Sequence, residues 1–200
     1  MKIILASASP RRAALLKQVK LYFTIAPSDI DENSGSHQPP EKMVLVLSEK
    51  KGRDVSSRHK NSLIIAADTV VSLKGDILGK PENRQQARDM LGRLSDNTHE
   101  VFTGVHVSKT NSVPEIVENF TFFERTNVTF SALTEREIDH YIDSGSPFDK
   151  AGGYGIQDDL GSLFVKKIEG DYYNVVGFPL NSFYQHLKNK MPRVHQHLFF

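Results

Sequence analysis

Cysteine is absent from this 200-residue chain, so disulfide bonds and thiolate metal sites are excluded. Long apolar runs are missing too, since no stretch approaches the roughly 18–20 residues that a membrane-spanning helix needs. The apolar run at residues 3–6 is too short for the core of a signal peptide, and arginines follow it where a cleavage site would stand. These absences lead us to expect a soluble protein of the cytoplasm.

The chain also lacks a large net charge of either sign. Twenty-five lysines and arginines stand against 24 aspartates and glutamates, which leaves a formal net charge of +1. The chain therefore has no global basic field that would favour duplex nucleic acid or an anionic membrane. The length suits one domain with a substantial core. We expect that domain to cover residues 1–190, followed by a loose C-terminal tail at residues 191–200.

Helical and strand patterns alternate along the chain. Apolar runs and period-two alternation predict strands at residues 3–6, 63–67, 70–74, 101–107, 120–130, 163–168 and 172–176. Apolar residues at helical spacing predict helices at residues 13–19, 41–53, 87–94, 134–142 and 180–187. Antiparallel strands joined to βα units predict a mixed α/β fold with a mixed sheet, and they argue against a purely parallel doubly wound sheet.

The junction between the first strand and the first helix is the first segment suited to chemistry. Ser9 stands where a helix N-cap belongs, and Pro10 occupies the first helical position. Arg11 and Arg12 add two cations to the unpaired N–H groups and the positive dipole end of the first turn. The segment suits a phosphate or another anion. The alternative is an ordinary capped helix with solvated arginines.

Two further segments place charge beside a strand or a turn. Asp68 and Thr69 follow an apolar strand, where a carboxylate is costly unless it is paired, hydrogen-bonded or bound to a cation. Hydrogen bonds from backbone amides are the purely structural alternative for this aspartate. Lys80 lies on a turn between Gly79 and Pro81, where a solvated lysine is the commoner case.

A glycine-rich segment at residues 149–157 is the fourth candidate. Its three glycines allow positive φ and close approach to a ligand, while Asp149 and Lys150 precede them and Gln157 ends the segment. The spacing matches neither the P-loop nor the dinucleotide-binding fingerprint, so a generic flexible loop is the competing interpretation. Elsewhere, Glu32 is a potential oxygen ligand for a hard cation such as Mg²⁺, or plain surface charge.

These residues form a set suited to phosphoryl transfer. The cations available for phosphates are Arg11, Arg12, Lys51 and Lys80, and the carboxylates available for metal and water are Glu32, Asp68 and Asp149. Phosphoryl transfer depends mostly on positioning and charge neutralisation, so it needs no side-chain nucleophile. Covalent catalysis has less support because cysteine and a G-x-S-x-G elbow are absent. The residues favour a metal-activated water with Asp68 as the general base.

The order of these motifs resembles that of the Maf nucleotide pyrophosphatases. The resemblance is carried by residues 5–12, 67–69, 79–81, 149–157, 164–173 and 176–180. It implies an enzyme that cleaves nucleoside triphosphates between the α and β phosphates, with Mg²⁺ or Mn²⁺ as cofactor. It also implies a two-lobed mixed α/β fold similar to the inosine-triphosphate pyrophosphatases, an active site in the central cleft, and a homodimer.

The resemblance also implies roles for single residues. Asp68 matches the general base and, with Glu32, the metal site. The positions that match substrate-binding residues are Ser7, Arg11, Arg12, Lys51, Thr69, Lys80, Asp149, Lys150 and Gln157. Among them, Arg11, Thr69 and Gln157 match the positions that mark the branch acting on dTTP and UTP, as opposed to the branch associated with 7-methyl-GTP. Lys50 competes with Lys51 if the helix is shifted by one residue.

The chain departs from the family pattern in a few places. Asp158 and Asp159 follow Gln157, where glycine is usual next, and Gly52 and Gly153 stand where alanine is common. An extra negative pair there could alter base selection or repel phosphate.

Two other functions compete with hydrolysis. The first is a nucleotide-binding regulator of cell division without appreciable catalysis. The second is a single-stranded nucleic-acid binder, given six tyrosines and 12 phenylalanines. The near-neutral charge and the core-facing spacing of most aromatic residues argue against that binder.

Overall fold

Seven strands and eight α-helices lie in residues 1–31 and 38–200, the part of the chain that the computed structural model describes. The strands are β1 (Lys2–Leu5), β2 (Thr24–Ile25), β3 (Ser62–Leu73), β4 (Asp76–Leu78), β5 (Thr98–Thr110), β6 (Ile116–Phe130) and β7 (Val165–Glu169). The helices are α1 (Pro10–Gln18), α2 (Pro40–Ser56), α3 (Arg84–Leu94), α4 (Glu135–Asp143), α5 (Asp159–Phe164), α6 (Tyr172–Val176), α7 (Leu180–Lys190) and α8 (Pro192–Phe199). Two short 3₁₀ turns cover Ser146–Asp149 and Ala151–Gly153.

The strands form one mixed sheet. Its order is β2-β1-β3-β5-β6-β7, and β4 pairs with the end of β3. β1 is parallel to both β2 and β3, whereas β4 is antiparallel to β3 and β7 is antiparallel to β6. The predicted mixed α/β fold with a mixed sheet is therefore confirmed.

The chain divides into two compact units. Unit 1 comprises Met1–Asp68, Thr103–Glu124 and Gly177–Phe200, and unit 2 comprises Thr69–Phe102 and Arg125–Val176. The single domain expected over residues 1–190 stays a prediction. Among the helices described, none has both the length and the apolar character that crossing a membrane requires.

Each unit has its own apolar interior. In unit 1, the strand residues Ile4 and Ile64 pack with Val55 of α2. In unit 2, Phe130 of β6 makes ring contacts with Tyr154 and Phe164. Buried apolar area of this kind is the main favourable contribution to folding, and here it fixes the strands that carry the candidate residues.

The structure corrects the strands predicted at residues 163–168 and 172–176. The first segment is strand only from Val165, and the second is helix α6. Tyrosine and valine favour strands, which explains the prediction. Here Gly170 has φ of 131°, and the Asp171 carboxylate accepts from the Tyr173 N–H at 2.8 Å. This side-chain bond starts a helical turn, so local capping outweighs the strand propensity.

The C-terminal segment is also more ordered than expected. Residues 191–200 contain α8, which contacts α7 and buries Val194 and His195. The His195 and Phe199 rings pack against Tyr184 of α7. Pro192 occupies the first position of α8, where its fixed φ suits a helix, and this was the sequence signal that the expectation of a loose tail missed.

Gly52 of α2 lies against the imidazole of His106 on β5, which occupies the space of a Cβ. A methyl group at residue 52 would overlap His106 Cδ2. We expect Gly52→Ala to destabilise the protein by about 1–3 kcal/mol, because overpacking outweighs the gain in helix propensity. Gly92→Ala is the matched control, since Gly92 is also helical and nothing lies within 4 Å of its ideal Cβ. It should be neutral or stabilising by up to about 1 kcal/mol in urea unfolding. Equal stabilisation by both variants would contradict this packing.

Candidate active site

The predicted N-cap at the first junction is present in unit 1. The Ser9 hydroxyl accepts from the Arg12 N–H at 3.4 Å, and Pro10 begins α1. The Arg12 side chain is buried and hydrogen-bonded. Its Nη1 donates to the Ser7 hydroxyl at 3.0 Å, and its Nε donates to the Gly177 carbonyl at 3.0 Å. The guanidinium is thus held at the positive end of a helix, which suits an anion. Arg11, the residue that precedes Arg12, is half-buried.

Asp68 has the cationic partner that its apolar sequence context demanded. Lys51 of α2 donates to Asp68 Oδ1 of β3 at 2.6 Å, and the two side chains are only 10% and 9% exposed. The ammonium compensates the charge of a carboxylate that would be costly to bury alone. Lys50, the competing lysine, is exposed on the same helix.

Strand register places these two sets of residues at one edge of the sheet in unit 1. Leu5 of β1 pairs with Ile65 of the parallel strand β3, and the Ala6 N–H donates to the Ile65 carbonyl at 2.8 Å. Ser7 follows β1 immediately, and Asp68 lies three residues beyond Ile65. Ligands of α/β sheets bind beyond the carboxyl ends of parallel strands, so the location suits a substrate.

In unit 2 the structure joins two of the sequence motifs. The Gly152 N–H donates to the Gly79 carbonyl at 2.9 Å, which sets the glycine-rich segment beside the turn that carries exposed Lys80. Gly152 has φ of 70°, and a Cβ there would press on Val71 of β3. Glycine is therefore required for the backbone to pass at this point. Thr69 lies on the same strand as Val71 and is half-buried.

Lys150 is buried inside the glycine-rich segment. Its ammonium donates to the Ser146 carbonyl at 2.6 Å and to Asp149 Oδ1 at 2.6 Å, and it lies 2.8 Å from Asp158 Oδ2. The first two contacts are hydrogen bonds, and the third is an ion pair. The Lys150 ammonium thus contacts residues within its own segment, where the sequence had suggested a contact with the substrate.

Gln157 is exposed at the end of the same segment and is held by Asp158. Its Nε2 donates to Asp158 Oδ1 at 3.0 Å. Asp158 therefore bonds the lysine with one oxygen and the glutamine with the other. The Asp158 carboxylate shares the charge of Lys150 with Asp149.

Buried hydrogen bonds hold the glycine-rich segment at Tyr154 and Gly155. His99 Nε2 and the Tyr154 hydroxyl lie 2.7 Å apart, and the Tyr141 hydroxyl accepts from the Gly155 N–H at 3.2 Å. Tyr154 is buried, and this burial raises the pKa of its phenol. These hydrogen bonds hold the segment at two consecutive residues, Tyr154 and Gly155.

Two buried histidines are expected to make the protein sensitive to acid. Burial lowers the pKa of His99 and of His106 from 6.5 to about 4. Between these values the unfolded chain binds protons that the folded chain does not. The contribution of these two neutral histidines to the free energy of unfolding is therefore fully present above pH 6.5. It is lost as the pH falls towards 4, by on the order of 3 kcal/mol for each histidine.

The variant His106→Gln isolates one of these contributions. Urea unfolding at pH 7.5 and at pH 4.5 should show a smaller acid-induced loss of stability in the variant than in the wild type. All other titratable groups are the same in both proteins, so the difference in acid-induced loss of stability belongs to His106. An identical loss in the two proteins would contradict the burial argument.

The described residues contain no cluster of three or more histidine, aspartate or glutamate side chains that could hold a metal ion alone. Glu32, predicted as a metal ligand, lies outside the described residues. Mg²⁺ is typically held by one or two carboxylates together with substrate phosphates and water. The buried carboxylate of Asp68 fits that mode of binding.

Some contacts of the site were not visible in the sequence. The Gly177 carbonyl that holds Arg12 is 165 residues away along the chain. The Tyr154 hydroxyl bond to His99 likewise joins residues 55 apart. No local pattern encodes such pairs. Asp158 was noticed only as a departure from a family pattern, and its bonds to Lys150 and Gln157 come from the structure.

Comparison with known proteins gives a family and several relatives. The family described as Maf-like protein matches residues 2–190. The dTTP/UTP pyrophosphatase of Halalkalibacterium halodurans is 49% identical over 186 residues, covering 93% of this chain and 94% of that protein. The dTTP/UTP pyrophosphatase of Bacillus mycoides strain KBAB4 is 47% identical over 188 residues, covering 94% of each.

Among solved structures, the crystal structure of a nucleoside-triphosphatase (dITP/XTP pyrophosphatase) from Mycobacterium abscessus is similar at a TM-score of 0.46 with 12% identity. The similarity covers 97% of this chain and 98% of that one. The family match spans nearly the whole chain, and relatives nearly half identical cover it almost end to end. The chain therefore belongs to the Maf-like protein family.

Proposed function

We propose that this chain hydrolyses dTTP and UTP to the nucleoside monophosphate and pyrophosphate. Relatives that are 47–49% identical over more than nine-tenths of the chain are named dTTP/UTP pyrophosphatases. The observation that carries the proposal is the buried Lys51–Asp68 pair, because it places a carboxylate and a cation together near the carboxyl ends of parallel strands, where ligands bind.

In unit 1 the proposed roles divide between proton transfer and phosphate binding. Asp68 accepts the proton of the attacking water, for which an ionised carboxylate is required. Arg12 and Lys51 bind phosphate oxygens, with Ser7 orienting the guanidinium. Lys51 is preferred to Lys50 because it is the buried lysine that contacts Asp68.

In unit 2, Lys80 is proposed to bind phosphate from its exposed turn. Thr69 and Gln157 are proposed to contact the base. The base-selecting role of Arg11, a residue of unit 1, is proposed from the family resemblance alone. Lys150 and Asp149 act as positioning residues, since the Lys150 ammonium is taken up within the glycine-rich segment.

A divalent cation, Mg²⁺ or Mn²⁺, is proposed as the cofactor, with Asp68 and Glu32 as its protein ligands. When bound, such an ion lowers the pKa of a coordinated water and neutralises phosphate charge. The protein contributes a carboxylate that is paired with Lys51 and cations that hold the triphosphate. We further propose a homodimer located in the cytoplasm, on the basis of the family resemblance.

The function is tested by a panel of triphosphates. Purified protein with Mg²⁺ or Mn²⁺ should release pyrophosphate from dTTP and UTP faster than from CTP, ATP or GTP. Triphosphate binding without pyrophosphate release from any member would instead favour the regulator. Binding to a single-stranded oligonucleotide with steep salt dependence would favour a nucleic-acid binder.

A further inference from the structure

We propose that Asp158 sets the base selectivity of the enzyme by fixing the orientation of the Gln157 amide. The inference rests on the proposed function, since it concerns the base of the same substrate. It assigns a role to a residue at which this chain departs from the pattern of its family. All the residues in the argument lie in unit 2.

The chemistry of the contact determines which way the amide faces. An ionised carboxylate only accepts hydrogen bonds, whereas an amide has an NH₂ group that donates and a carbonyl that accepts. The 3.0 Å contact between Asp158 Oδ1 and the Gln157 side chain must therefore involve the NH₂ group. The carbonyl oxygen Oε1 is left on the other branch of an exposed side chain, available to a ligand.

Asp158 is itself held firmly enough to impose this orientation. It occupies the N-cap position of α5, yet its side chain makes no capping bond and its Oδ2 lies 2.8 Å from Lys150 Nζ. Gly155 makes room for this arrangement, because a Cβ there would overlap Asp158 Oδ2 and lie 2.8 Å from Lys150 Cε. An aspartate at an N-cap position usually accepts from a backbone N–H of the first helical turn. Because Asp158 instead contacts Lys150 and Gln157, it acts within the glycine-rich segment.

A carbonyl oxygen presented in this way recognises an N–H donor. Uracil and thymine carry such a donor at N3, whereas cytosine has an acceptor at the same position. Two acceptors facing each other leave both unsatisfied, and a lost hydrogen bond of this kind costs about tenfold in kcat/KM at an exposed site. The arrangement selects UTP and dTTP against CTP, and it does not distinguish the two from each other.

The test compares two substitutions at residue 158. In Asp158→Asn, Lys150 can only donate and so takes the asparagine oxygen, which leaves the asparagine NH₂ facing Gln157. That group attracts the Gln157 carbonyl and turns the glutamine NH₂ outward. We expect the ratio of kcat/KM for UTP to that for CTP to fall about tenfold. Asp158→Ala leaves the amide free to rotate, so its ratio should lie between those of the wild type and Asp158→Asn.

The order of the three ratios separates this role from a merely structural one. General loosening of the loop would place Asp158→Ala at or below Asp158→Asn, and that order would overturn the proposal. An unchanged ratio in Asp158→Asn with UTP hydrolysis retained would overturn it equally. In a Gln157→Ala background, Asp158→Asn should no longer change the ratio, because the effect passes through the glutamine.

Failure of the proposed function has a different signature. It would appear as no release of pyrophosphate from UTP by the wild-type protein. The ratio of dissociation constants for UTP and CTP, measured by titration calorimetry on the same variants, then carries the test. The same order of variants in binding supports the role of Asp158, and equal ratios overturn it.

Discussion

Replacing Asp68 with asparagine is expected to lower kcat for UTP hydrolysis by about 10²–10⁴-fold while UTP binding is retained. The substitution keeps the shape of the side chain and removes the group that accepts a proton from water. Lys51 then faces a neutral amide oxygen in place of the carboxylate that it contacts at 2.6 Å. Steady-state kinetics with pyrophosphate detection gives kcat, and calorimetry with UTP gives the affinity.

The matched control is Asp89→Asn, the same chemical change at an exposed residue of α3 that bonds only Gln85 in the described structure. It should leave kcat within about twofold of the wild type. Urea unfolding of both variants shows whether lost activity reflects lost folding. Wild-type turnover by a folded Asp68→Asn protein would refute the role of Asp68 as base.

Replacing Lys51 with methionine is expected to destabilise the protein by about 3–5 kcal/mol, because it leaves the Asp68 carboxylate buried without its counter-ion. Methionine retains the apolar stem, so the loss belongs to the charge. The same variant should lose UTP hydrolysis, since a phosphate-binding cation is removed. Urea unfolding at pH 7.5 measures the first effect.

Two variants sharpen this result. Lys50→Met removes the neighbouring lysine, which is exposed, and should leave the free energy of unfolding within about 0.5 kcal/mol of the wild type. The double variant Lys51→Met/Asp68→Leu removes both charges and should be less destabilised than the two single changes added together, since neither charge is left buried alone. Additive losses would contradict a direct ion pair.

Elements with strong local signals were predictable from the sequence. The Ser9 N-cap and Pro10 start of α1 form as predicted. Helix α4 begins with a capping box between Thr134 and Glu137, and Gly145 adopts φ of 78° after its end. Each of these features is fixed by residues within one turn of each other, so the sequence contains the whole cause.

The errors arose where hydrogen bonds outweigh residue propensity. The segment at residues 172–176 has strand composition, but the Asp171 carboxylate begins a helical turn, and the buried Asn174 amide donates to the Val101 carbonyl and the Thr126 hydroxyl. Those partners lie on β5 and β6, far from it in sequence. Residues 191–200 form a helix that packs on α7, and the helical spacing of Met191, Val194 and Leu198 is a local signal that the expectation of a loose tail overlooked.

For the site, the sequence identified candidate residues but not the pairs that they form. It identified Asp68 and Lys51 separately, and the structure joins them in one buried pair. Lys150 stays a predicted substrate contact, and the structure adds its hydrogen bonds to Ser146 and Asp149 and its ion pair with Asp158. Pairing of this kind depends on the tertiary fold, and spacing along the chain does not specify it.

The products of UTP hydrolysis test the central claim most directly. Wild-type protein should be incubated with UTP and Mg²⁺ and the products separated by anion-exchange chromatography. We predict UMP and pyrophosphate in equal amounts, with both lost in Asp68→Asn. Formation of UDP and inorganic phosphate would contradict cleavage between the α and β phosphates.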